Sequence, residues 1–99
     1  MAYQNYHYRI ISSENITSGA ASTQSGSAPF GTKAVRIATS ASVNVAISGN
    51  PTATSAGALI QAADSQIFIV TPSSTVGGTD GDKVASIGTA TVNVTWLGA

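Results

Sequence analysis

Residues 34–50, AVRIATSASVNVAISGN, carry the clearest pattern in the chain: Val35, Ile37, Val43, Val45 and Ile47 fall on odd positions, with Ala34, Arg36, Ala38, Asn44, Ala46 and Ser48 between them. Alternation with period two marks a strand buried on one face. One strand of that length would far exceed the usual five or six residues, so the pattern predicts two strands joined at Ser40-Ala41-Ser42. As a hairpin with a three-residue turn, they would set Thr39 opposite Val43, Ile37 opposite Val45 and Val35 opposite Ile47, with every large side chain on one face. A two-residue turn would oppose Ile37 to Asn44 instead.

The same reading extends to both ends. Residues 8–12 predict a first strand, and residues 18–27, SGAASTQSGS, a loop or flexible connector with nothing to bury. Phe30, within Ala28-Pro29-Phe30-Gly31, reads as an anchor at the end of that loop. Gly49-Asn50-Pro51 is turn chemistry, since proline forces the preceding residue away from helical angles and supplies no donor. Residues 58–62 predict a short strand or a single turn. In QIFIVT, residues 66–71, Ile67 and Ile69 lie on one face and Phe68 and Val70 on the other, which predicts a central strand covered on both sides and stopped by Pro72. Residues 73–82, built from glycine and short polar side chains, predict a mobile loop. KVASI (83–87) and VNVTWL (92–97) predict a closing hairpin around residues 88–91, with Val92, Val94 and Trp96 inward and the Lys83 stem across the indole ring. The sum is an all-β chain: a small antiparallel β-sandwich or jelly roll of seven or eight short strands. Residues 33–99 form its core, and residues 1–32 form an N-terminal arm or edge strand plus a flexible Ser/Gly/Ala loop.

Composition turns this architecture toward assembly. Nine Ile and eight Val against two Leu favour strands. Charged residues make up 8% and the formal net charge is zero, where an ordinary soluble domain carries about 25% charged residues. A chain so poor in charge associates readily, which predicts a subunit of an assembly. The even balance also lacks the basic stripe that a nucleic-acid binder needs to neutralise phosphates. The chain has no cysteine, hence no disulfide framework and no thiolate metal site. No apolar run approaches membrane-spanning length, so no membrane partner is expected. MAYQNYHYRI, polar and aromatic, predicts no export by a standard signal.

Candidate chemistry is sparse. His7 and Glu14 are the only residues of their kinds, and the 26 Ser and Thr residues frame no G-x-S-x-G turn. No enzyme is expected, and no cofactor. Asp80-Gly81-Asp82 has the spacing of part of a calcium loop but lacks the further carboxylates and closing Glu, so it predicts a solvated loop tip and no metal. Asn15-Ile16-Thr17 and Asn93-Val94-Thr95 match a glycosylation acceptor, a coincidental match without a secretory signal. The aromatic residues are more informative. Tyr3, Tyr6 and Tyr8 are the only tyrosines, all within the first eight positions, and tyrosine is enriched at interfaces, where its ring buries while its hydroxyl stays paired. With Phe30 they are the candidate partner contacts.

One resemblance bears on function. The succession Ser42-Val43-Asn44-Val45-Ala46-Ile47, Gly49-Asn50-Pro51-Thr52-Ala53-Thr54, Leu59-Ile60, Ile67-Phe68-Ile69-Val70, Gly81-Asp82-Lys83-Val84-Ala85 and Val92-Asn93-Val94-Thr95 resembles the small β-sandwich accessory proteins of tailed-bacteriophage particles, in particular the head decoration, or cement, proteins of short-tailed phages. The likeness runs from Lys33 to Leu97 and departs from the pattern in the insertion at residues 73–78. It implies a structural virion protein, assembled in the host cytoplasm, that sits on the capsid exterior, binds between major capsid protein subunits and associates with sister copies as a homotrimer. A tail, neck or fibre-base component of the same particle, and a carbohydrate-binding module, are the alternative readings. The last requires an exposed aromatic platform.

Overall fold

The computed structural model describes residues 8–99 and contains eight strands among them: β1 (Arg9–Ser18), β2 (Thr23–Gln24), β3 (Thr32–Thr39), β4 (Val43–Ser48), β5 (Ala58–Ile60), β6 (Ser65–Ile69), β7 (Lys83–Ile87) and β8 (Ala90–Gly98). They form two four-stranded antiparallel sheets, ordered β1-β8-β3-β6 and β2-β7-β4-β5. The pairs β1·β8, β2·β7, β3·β6 and β4·β5 are nested, as if one long hairpin with its tip between β4 and β5 had been rolled up. The contacts β8·β3 and β7·β4 close the roll. This is the jelly-roll order, two Greek keys wrapped into a sandwich.

The roll overturns the two expected hairpins. Ser40-Ala41-Ser42 does separate two strands, but β3 lies in one sheet and β4 in the other, so Ile37 faces Val94 and Gln66 along its own sheet and never pairs with Val45. Likewise β7 and β8 belong to different sheets. Lys83 stands opposite Ser48, while Trp96 stands opposite Ser12 and Val35, far from the predicted stacking partner. The reason is geometric. Alternation specifies that one face of each strand is buried, and this is satisfied equally by a hairpin within one sheet and by an arch that carries the second strand across the core. The arches here brace one another: Ser40 N–H donates to Thr91 O, Thr91 N–H to Ser40 Oγ, and Gly88 N–H to Gly19 O.

The inward positions are those the alternation marks. Val35 and Ile37 from β3, Val43 and Val45 from β4, Ile60 from β5, Val84 from β7, and Val92, Val94 and Trp96 from β8 fill the space between the sheets, joined by Ile16, Ala28 and Val70. Full burial of each such side chain contributes roughly 1.5–3 kcal/mol. The core thus reaches back before residue 33, because β1 supplies Ile16 and the loop after β2 supplies Ala28. Residues 18–27 are tied down as well: Ser25 N–H donates to Val84 O, Val84 N–H to Ser25 Oγ, and Ala53 N–H to Ser22 Oγ. QIFIVT is not a central strand. β6 is the outer strand of its sheet, with Phe68 half-buried beside the core and Ile69 90% exposed.

Candidate protein-docking face

The two outer faces of the sandwich differ. On the β2-β7-β4-β5 sheet, residues 49–57 fold back over the surface: Gln24 Nε2 donates to Asn50 Oδ1 and Pro51 O, and Asn44 Nδ2 donates to Gly57 O. Ala53 of this loop and Ala85 of β7 are buried. A Cβ on Gly57 would come within 2.8 Å of Val45 O, so the loop approaches the strand as closely as a glycine allows.

The outer face of the β1-β8-β3-β6 sheet carries no comparable loop among the described residues, although Tyr8 lies across it and Ala34, Leu97 and Thr95 on it are buried. Its cross-strand rows follow from the register. Ile10, Leu97, Ala34 and Ile69 make one row, Ser13, Thr95, Arg36 and Ile67 the next, and Asn15, Asn93, Ala38 and Ser65 the third. The β1 and β8 ends of the polar rows are knitted by side chains: Asn93 Nδ2 donates to Ser13 Oγ and Asn15 Oδ1, and Thr95 Oγ1 donates to Asn93 Oδ1. Both asparagines of the glycosylation-like triplets are therefore held in one ladder. At the β6 side the face opens into a depression of about 440 Å³ walled by Tyr8, Arg36, Ser65, Gln66, Ile67 and Ile69. Ile10 is 67% exposed at the other end of the apolar row. Leu97 and Ala34 between them are buried, so the exposed apolar side chains are Ile10 at one edge and Ile67 with Ile69 at the other. Exposed apolar side chains beside a depression rimmed by polar ones make the β6 side a candidate interaction surface.

Of the predicted contacts, Tyr8 is 39% exposed and lies in this depression, across the sheet from the strand it precedes. Phe30 is 53% exposed and so does not anchor its loop in the core; it sits just before β3, near the end of the sheet where Ile10 and Ile69 lie. Tyr3 and Tyr6 fall outside the described residues. Sequence reasoning missed Arg36, Ile67 and Ile69. Alternation marks Arg36 only as an outward position, and the continuous apolar run over residues 66–71 reads as covered on both sides, which hides the two isoleucines. The available signal was the mismatch between QIFIV and the cleanly alternating strands around it.

The loop between β6 and β7 bears on the metal question. Ser74 Oγ and Ser74 N–H both donate to the Asp80 carboxylate, and Thr71 N–H donates to Asp82 Oδ2. A loop expected to be mobile is thus cross-braced, and its carboxylates serve as acceptors for it. Among the described residues no cluster of three or more His, Cys, Asp or Glu could hold a metal ion. The Ser74 hydroxyl, then the Ser74 amide, hold the Asp80 carboxyl below its ordinary 3.8. A carboxyl whose folded-state value lies below its unfolded one contributes above the unfolded value and loses that contribution as pH falls through the folded one. The contribution of the Ser74–Asp80 brace should therefore be complete at neutral pH, begin to decline as pH approaches 3.8 and be lost as pH falls further through the lowered value. NMR titration should place the Asp80 midpoint below 3.8, and Ser74→Ala should raise it.

An eight-stranded jelly roll with a loop folded over part of one outer face and exposed isoleucines at the edges of the other is the class of protein these observations define. Comparison with protein-family models, curated proteins and solved structures finds no match to this chain.

Proposed function

We propose that this chain is a structural virion protein that decorates and stabilises a tailed-phage capsid, binding the outer surface between major capsid protein subunits, and that it has no catalytic role. The observation that supports this reading is the contrast between the two outer faces: the β1-β8-β3-β6 sheet exposes Ile10 at one edge and Ile67 and Ile69 at the other, while residues 49–57 fold over part of the opposite sheet, where Leu59 is the one large apolar side chain left exposed among the described strand residues. A chain with 8% charged residues and such a face is suited to permanent attachment. Jelly rolls serve as capsid and lectin domains alike, and fold alone does not choose between them. Trp96 does favour one, because it is 1% exposed and supplies no platform on which a sugar ring could stack. Repetition over a lattice converts weak single contacts into a stable coat.

In purified particles the chain should be present at the multiplicity of the capsid lattice and located on its exterior. Presence at the multiplicity of one tail or neck ring would move it to the tail, and absence from particles would remove the reading. Deleting residues 1–7 stops short of β1, which begins at Arg9, so the sandwich should remain folded while occupancy falls. Unchanged occupancy would exclude Tyr3 and Tyr6 as contacts.

A further inference from the structure

We infer that the outer face of the β1-β8-β3-β6 sheet docks a protein surface on which carboxylates stand beside apolar side chains, with Arg36 as the residue that meets the carboxylate. The inference rests on the capsid reading above for the identity of that surface, and it derives the surface's chemistry from the distribution of charge.

The four carboxylate side chains are all engaged internally. Glu14 accepts from Gly26 N–H and Trp96 Nε1–H, Asp64 from Ser65 N–H, Asp80 from Ser74, and Asp82 from Thr71 N–H. The cations behave differently. The side chains of Arg9, Lys33, Arg36 and Lys83 make no hydrogen bond or ion pair with any described residue. Three of these four lie on the one sheet: Arg36 projects from its open face at the centre of the Ser13–Thr95–Arg36–Ile67 row, while Arg9 and Lys33 lie at the end where the apolar row runs. The β6 side of the face therefore sets two exposed isoleucines, Ile67 and Ile69, beside the unpaired charge of Arg36, with Arg9 and Lys33 at the rim, although the chain as a whole is neutral.

That pattern selects the occupant. A second copy docking the same face about a two-fold axis would bring Arg36 and its rim cations against their own images, and like charges brought together at an interface oppose it. A polyanion such as nucleic acid would leave Ile67 and Ile69 wet and would find too few cations to neutralise its phosphates. A protein surface with Asp or Glu flanking an apolar ridge satisfies both parts: the ridge covers Ile67 and Ile69, and a carboxylate in the depression takes a paired contact from the Arg36 guanidinium.

The test uses the full chain, purified, added to particles assembled without it. Wild type should bind. Arg36→Glu and Ile69→Asp should each weaken binding about tenfold or more, the scale of a central interface residue. Arg36→Lys should recover most of the affinity lost in Arg36→Gln, and Leu59→Asp, on the opposite sheet, should bind as wild type does. Ile69 and Arg36 are exposed, so circular dichroism and melting should show all variants folded. Four results would overturn the inference. If the sheet variants bind like wild type, or Leu59→Asp fails equally, the face is wrong while the capsid reading stands. If Ile69→Asp fails and Arg36→Glu does not, the partner is not acidic. If sedimentation shows a wild-type oligomer that Arg36→Glu dissociates, the occupant is a second copy. If wild type itself fails to bind particles, the capsid reading and this inference fall together.

Discussion

Replacing Gly81 by alanine should cost about 2–4 kcal/mol and lower the melting temperature by roughly 10–25 °C, as overpacking against backbone and the loss of hydrogen bonds combine. A Cβ at this position would stand 2.4 Å from Ala28 O and 2.6 Å from Ser73 N. Neither neighbour is the movable end of a side chain. Both belong to a clasp in which Ser73 N–H and Ser73 Oγ donate to Ala28 O, Gly81 N–H donates to Ser73 Oγ, and Ala28 N–H donates to Asp82 O. The clasp joins the loop before β3 to the loop before β7, so both sheets feel its loss. Gly49→Ala is the control: a Cβ there meets nothing within 4 Å, and its melting temperature should match wild type. Equal melting temperatures for Gly81→Ala and Gly49→Ala would show that the clasp yields without cost.

The same residues illustrate what a linear reading can and cannot reach. Asp80-Gly81-Asp82 attracts notice because its spacing fits a calcium loop, yet what the glycine does depends on Ala28, more than fifty positions earlier in the chain. No local pattern encodes that approach. Alternation, by contrast, is local, and it located β3, β4, β7 and β8 together with the inward orientation of Val35, Ile37, Val92, Val94 and Trp96. It left the choice of partner strands open, because a buried face is the same requirement in a hairpin and in an arch, and so both expected hairpins proved to be crossings between sheets. β1 was foreshortened for a related reason. Of its inward positions Ser12, Glu14, Ile16 and Ser18, only Ile16 is apolar, so the period vanishes beyond residue 12 although pairing with β8 continues to Ser18. The candidate docking face was half legible. The tyrosine cluster pointed to the N-terminal segment, and Tyr8 does reach the depression. The isoleucines of β6 were hidden because an apolar edge strand and an apolar central strand share one composition, and only the neighbouring strand tells them apart.

Trp96→Ala should be the most damaging single substitution in the chain, at about 3–5 kcal/mol for loss of a large buried aromatic. That is a large share of the roughly 5–15 kcal/mol that holds a natural domain together. Trp96 is the largest fully buried side chain, standing between Ser12 of β1 and Val35 of β3 in its sheet. It also satisfies Glu14, the only glutamate, whose Oε2 lies 3.4 Å from the indole Nε1 while its Oε1 accepts from Gly26 N–H at 3.0 Å. Volume and polarity can be separated. Trp96→Phe keeps most of the ring but removes the donor, leaving Glu14 held by Gly26 alone, and it should cost less than the alanine variant. The 3.4 Å separation places the indole–carboxylate contact at the weak end of hydrogen bonding, so a double-mutant cycle between Trp96→Phe and Glu14→Gln should return a coupling of only about 0.5–1 kcal/mol. Urea titrations followed by circular dichroism can measure all four corners without the tryptophan signal. A Trp96→Ala loss under about 1 kcal/mol would mean that the two sheets are held by their arches and clasp, with the core between them contributing far less than its burial implies.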